Sequence, residues 1–144
     1  MDLRSHTSLL GSIVCFAIAA SVLLRPRRLR VHWFFSVFDL TVGGWYLTTF
    51  LQRTLSPSGL VERVNLVFAV LLPLAAVQFF RAFLEGDSLR SVWLNRVALA
   101  LAAAMIVLGF TPLFGSFLLG AMVFSYVFVL LAAGLFLLYR AGRR

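Results

Sequence analysis

Asp39 is the residue of this chain whose chemistry is hardest to place. It lies in a run from Val31 to Leu51 that carries no other acid and no arginine. Counted at 1.5 Å per residue, it is roughly 12 Å from the start of that run. A short carboxylate at that depth in a membrane cannot reach the headgroups. An ionisable group in a spanning helix costs at least ~2.5–3.5 kcal/mol on insertion scales, so it faces other helices and takes a partner. Steps of three and four residues put His32, Phe35/Ser36, Asp39, Val42/Gly43 and Tyr46 on one helical face. Gln78 adds a polar group near the inner end of the third apolar run.

Two readings of Asp39 follow. In one it is a sensing, proton-linked or ligand-contacting acid, with His32, Tyr46 and Gln78 as companions. In the other it holds helices together through a hydrogen bond to Tyr46, Gln78 or a threonine.

The rest of the chain offers little chemistry. The five acids are Asp2, Asp39, Glu62, Glu85 and Asp87, and only Asp39 is deep in an apolar run. Two histidines, His6 in a polar lead and His32 at a helix edge, do not make a metal site without carboxylates. No His-Glu-x-x-His, Gly-x-Ser-x-Gly or phosphate loop occurs. The single cysteine, Cys15, has no intramolecular disulfide partner and reads as a small apolar core residue. No catalytic residue, metal or cofactor is therefore expected, and the chain as given is not expected to be an enzyme.

The elements that must position Asp39 are membrane helices. Of 144 residues, 62% are hydrophobic and 12% are charged, and mean hydropathy is +1.00. A soluble domain is closer to half apolar and a quarter charged. Apolar runs long enough to span a bilayer predict helices over about 8–24, 31–51, 62–84, 97–114 and 116–139. The expected fold is all-α, a polytopic integral membrane bundle of five transmembrane helices in one domain, 1–144. Met1-Asp2-Leu3-Arg4 lacks the features of a cleaved signal, so the first helix is expected to stay. Pro73 falls inside the third helix and predicts a kink, a possible hinge. Small residues four apart predict close helix packing at Ala17/Ser21, Gly43, Ala98/Ala102, Ala100/Ala104 and Ser116/Gly120. Trp33, Trp93 and Tyr139 fit an interfacial aromatic belt, whereas Trp45 lies deeper.

All thirteen basic residues are arginine, and the net charge is +8. The arginines cluster at the ends of apolar runs, above all Arg25, Arg27, Arg28 and Arg30 in the first loop. That placement reads as topology and headgroup contact, not as nucleic-acid binding. Keeping this loop cytoplasmic gives an N-out/C-in chain. Ten arginines then lie inside, and Arg4, Arg53 and Arg63 lie outside.

Several of these positions form a pattern. A basic loop precedes Gly43-Gly44-Trp45-Tyr46, then an outer loop rich in Pro, Ser and Gly. Arg63 opens the next helix, Leu72-Pro73 lies inside it, and Phe79-Phe80-Arg81-Ala82-Phe83-Leu84 closes it. The pattern, over about residues 24–144, resembles the N-terminal multi-helix membrane region of bacterial sensor histidine kinases, the seven-helix sensor type. The resemblance implies a sensor of the bacterial cytoplasmic (inner) membrane, passing a stimulus to a cytoplasmic output. A parent protein of that type would be a protein-histidine kinase. This chain has five predicted helices rather than seven and no phosphoacceptor or ATP-binding segment, so no catalytic residue carries over. The expected function is a membrane-embedded signal-transduction module. The alternatives are a small structural or anchoring subunit of a larger membrane complex, or a transport component. Expected partners are the lipid bilayer and other membrane helices, in a homo-oligomer or a larger complex.

Overall fold

The computed structural model describes residues 3–26, 29–55, 59–83, 89–112, 117–141 and 143. Five helices follow one another: α1 (Leu3–Leu23), α2 (Arg30–Thr54), α3 (Gly59–Phe83), α4 (Leu89–Gly109) and α5 (Phe117–Ala141). Among the described residues there is no strand. Four helices are long and apolar enough to cross a membrane, and α4 adds a shorter apolar stretch, Asn95–Gly109. Arg27, Arg28, Ser56, Pro57, Ser58, Glu85, Asp87, Ser116 and Arg144 lie outside the described residues.

The helix ends differ from the hydropathy reading, most of all in α4. Expected over 97–114, it runs from Leu89 to Gly109. Its first two turns contain Arg90, Asn95 and Arg96. Polar residues lower hydropathy, but they do not break a helix. At the other end, Phe110 N donates to Val107 O and Thr111 N to Leu108 O, both at 3.1 Å. These i→i+3 bonds tighten the last turn, and Pro112 disfavours helical backbone at Thr111. α1 likewise begins at Leu3 rather than Ser8, and Leu24 N donating to Ala20 O (3.0 Å) closes it before Pro26.

Contacts divide the chain into two compact units, Met1–Ala69 and Val70–Arg144. One domain, 1–144, is expected from the sequence. α3 is continuous through Pro73, and the division falls beside the Ala69 carbonyl, which a proline at position 73 cannot bond.

In the first unit α2 packs on two sides. Ser36, Asp39 and Gly43 are buried on one face, and Thr41, Gly44 and Thr48 on another. The second face meets the start of α3. There Asn65 Nδ2 donates to Thr48 Oγ1 (2.9 Å) and Thr49 Oγ1 (3.1 Å). A Cβ on Gly44 would stand 2.5 Å from Phe68 Cζ, so only a glycine lets this ring lie on the α2 backbone. Large apolar side chains such as Trp33, Val37 and Leu40 point outward instead. Small and polar groups inside with bulky apolar ones outside suit a lipid solvent, where helices associate through close packing.

In the second unit the α4 seam runs through Ala98, Ala102 and Met105, and the α5 seam through Leu119, Tyr126 and Leu130. Tyr126 Oη donates to Ala98 O at 3.3 Å. Gln78 Nε2 donates to Asn95 Oδ1. A Cβ on Gly134 would stand 3.1 Å from the Phe80 ring.

Candidate functional site at the Asp39 seam

α1 and α2 pack antiparallel along small residues. On α1 the packed positions are Ser5, Ser8, Ser12, Cys15 and Ala19, separated by three and four residues. Ser5, Ser8, Ser12 and Ala19 are buried, and Cys15 is half-buried. On α2 the facing positions are Ser36, Asp39, Gly43 and Tyr46. The register is fixed at three levels. Ser36 Oγ donates to Ala19 O at 3.4 Å, besides its 2.9 Å bond to His32 O. A Cβ on Gly43 would meet Cys15 Cβ at 3.2 Å and the Phe16 ring at 3.1 Å. Gly11 lies on the Tyr46 ring, with a Cβ there 3.5 Å from it. Spacing of three and four on both helices keeps the seam aligned over several turns.

Asp39 sits in the middle of this seam and is 8% exposed. Across the seam its carboxyl faces the Cys15 thiol. Its Oδ2 is buried with no hydrogen-bond partner among the described residues. Neither helix carries an arginine within two turns of the pair, so neither provides a local ion pair. A buried carboxyl oxygen without a donor is unfavourable by about 1–3 kcal/mol, more if charged. Such a group can hold a proton or accept a bond from a small donor, and either change would be felt at Cys15 and Gly43.

The remaining predicted residues fall as follows. His32 is at the N-terminus of α2, where its Nδ1 accepts from Leu29 N at 3.4 Å. Tyr46 packs on Gly11 and on Trp45, with ring centroids 5.3 Å apart. Gln78 bonds Asn95. Asp39, expected to pair with Tyr46, Gln78 or a threonine, instead faces Cys15 across the seam. Thr41, one such threonine, donates back to Val37 O at 2.7 Å. Cys15, read as bland filler, is thus the residue the sequence reading missed. Pro73 is buried within α3. Arg25 and Arg30 are exposed at the first turn.

Two packing expectations are corrected. Among the described residues Gly120 makes no close contact, since a Cβ there would meet nothing within 4 Å. The α5 seam runs through Leu119, so the next residue is turned about 100° away. Ala17 and Ser21 are exposed, because α1 uses the Ser5-to-Ala19 face instead. Ala98 and Ala102 are buried, whereas Ala100 and Ala104 are exposed.

An apolar groove of about 480 Å³ lies along α4 and α5, with Ala98, Met105, Met122 and Tyr126 on its walls. Among the described residues no three His, Cys, Asp or Glu side chains come together as metal ligands do. Compared with protein-family models, curated proteins and solved structures, the chain matches none.

Proposed function

We propose that the chain is a membrane-embedded sensor module, oriented N-out/C-in in a bacterial cytoplasmic membrane, with Asp39 as its sensing acid. One observation carries this reading: a buried carboxyl with an unpartnered oxygen in a seam otherwise made of neutral, mostly small residues. An intramembrane ionisable group is costly to keep, and such groups concentrate where a proton or ligand is bound. A change in its protonation alters the charge beside Cys15 and the balance of the α1–α2 packing. The C-terminal end would pass that change to a cytoplasmic output. The resemblance to the membrane region of sensor histidine kinases supports the same direction of signalling.

A second reading is favoured by a different observation. Ala17/Ser21, Ala100/Ala104 and Gly120 present small residues outward, which suits an anchoring subunit or homo-oligomer that docks other helices.

Amide hydrogen exchange in lipid nanodiscs separates the two. Corrected for intrinsic pH dependence, exchange in α1 and α2 of a sensor changes with pH. Asp39→Asn keeps size and hydrogen-bonding capacity but removes the titratable charge, so it abolishes that change, as does Asp39→Leu. An anchor shows the same pH-independent protection in the wild type and in Asp39→Asn.

A further inference from the structure

We propose that the cavity lined by Arg30, His32 and Trp33 binds the phosphodiester headgroup of an anionic membrane lipid. This cavity measures about 160 Å³ and is completed by Val22, Leu23 and Leu29. It is distinct from the Asp39 seam, and the inference does not depend on Asp39 being a sensor.

The lining has a consistent sign. Arg30 brings a guanidinium, and Trp33 an indole N–H. His32 Nδ1 accepts from Leu29 N, so its proton is on Nε2, which is the remaining donor. All three polar residues that line the cavity thus carry an N–H donor. The two helices that line the cavity bring no acid to it: α2 has none in its first turn, and the sequence from Leu3 to Phe38 contains none. Arg30 is steadied at the rim, its guanidinium carbon 5.9 Å from the centroid of the Phe34 ring. A planar fork held this way suits phosphate oxygens.

The other wall identifies the source of the phosphate. Val22, Leu23 and Leu29 are aliphatic, and Leu24 and Trp33 beside them are largely exposed. A free anion gains nothing from such a wall, whereas a lipid continues from its phosphate into glycerol and acyl chains. The volume is well below the ~300–1,000 Å³ of a site for a drug-sized ligand, so it fits a headgroup fragment rather than a whole soluble metabolite. Tryptophan and arginine at a helix end also belong at the depth where lipid phosphates lie.

Native mass spectrometry of the full chain tests this, using nanodiscs of phosphatidylcholine alone or doped with phosphatidylglycerol. The wild type should retain phosphatidylglycerol over phosphatidylcholine by roughly tenfold, the scale of a charge-assisted hydrogen bond. Arg30→Gln should remove most of that preference. Trp33→Phe, which keeps the ring but loses the N–H, should cut it about threefold, as a neutral hydrogen bond would. Arg96→Gln, an exposed arginine elsewhere, should leave it intact. Should Arg30→Gln fail to insert, Trp33→Phe carries the test alone. Three results would overturn the proposal. Arg30→Gln or Trp33→Phe could retain the full preference. Arg96→Gln could lose as much, which would mean diffuse charge only. Inorganic phosphate alone could bind as tightly as the lipid, which would mean a free-anion site.

Discussion

The register of the α1–α2 seam can be tested with the chain's own cysteine. Gly43→Cys would place a second Cβ 3.2 Å from the Cβ of Cys15. Disulfides hold their Cβ atoms ~3.5–4.5 Å apart, about 3.8 Å on average. The backbones must therefore part by roughly half an ångström to reach the bonded geometry, and the Phe16 ring must retreat with them. In the chain-entropy account a loop of this length contributes at most ~3.6 kcal/mol. Overpacking against Phe16 opposes it by ~1–3 kcal/mol. The bond should thus form readily on mild oxidation, with a net stabilisation of about 1–2 kcal/mol. Trypsin provides the assay. Arg28 and Arg30 lie between positions 15 and 43, so digestion separates the helices unless the disulfide joins them. Non-reducing mass spectrometry should find the two peptides linked, and a reductant should free them. Val42→Cys, rotated about 100° on the helix, should give little product. Failure of Gly43→Cys to link, or equal yield from Val42→Cys, would refute the register and with it the placement of Asp39 against Cys15.

Other outcomes follow from the same packing. Gly44→Ala would drive its Cβ to 2.5 Å from Phe68 Cζ, so it should lower thermal stability in detergent by about 1–2 kcal/mol, overpacking less the gain in helix propensity. Gly120→Ala, with open space around it, should be neutral or raise stability by up to ~1 kcal/mol; a loss there equal to that of Gly44→Ala would contradict the outward placement. Asn65→Leu removes the bonds to Thr48 and Thr49 and should destabilise by about 1 kcal/mol, typical of interhelical hydrogen bonds in membranes. Unchanged melting would mean those bonds are replaced. Reporter fusions at Arg30 and Arg144 should behave as cytoplasmic and one at Ser58 as external; a cytoplasmic signal at Ser58 would reverse the orientation.

What was legible in the sequence depended on how local the signal is. The α2 face from His32 to Tyr46 follows from three- and four-residue steps alone, and Ser36, Asp39, Gly43 and Tyr46 do share the seam with α1. The face of α1 that meets it was written just as plainly, in Ser5, Ser8, Ser12, Cys15 and Ala19. It was overlooked because hydropathy leaves Ser5 in a polar lead, and Ala17/Ser21 better matches a small-residue motif. Hydropathy measures preference for lipid, whereas helix ends are set by backbone bonding. That is why α4 begins at Leu89, among polar residues, and ends before Pro112. The pairing of Cys15 with Asp39 has no local signal. It depends on the register between two helices, as does the Asn65 contact with Thr48. Gly120 failed for a related reason: spacing shows that a face is small, but not that a helix lies against it.

Whether Asp39 is a proton-linked acid can be read most directly from its neighbour. Cys15 is the single cysteine, so maleimide alkylation in nanodiscs reports on the seam without added probes. Rates would be measured across pH in the wild type and in Asp39→Asn, and the ratio of the two taken at each pH to cancel the ordinary ionisation of the thiol. A proton-linked Asp39 places charge beside Cys15 at one end of the range and not at the other, so the ratio should change with pH through a single titration step. A ratio that stays constant across the range, with both proteins folded, would contradict the sensing role and leave Asp39 as a structural acid.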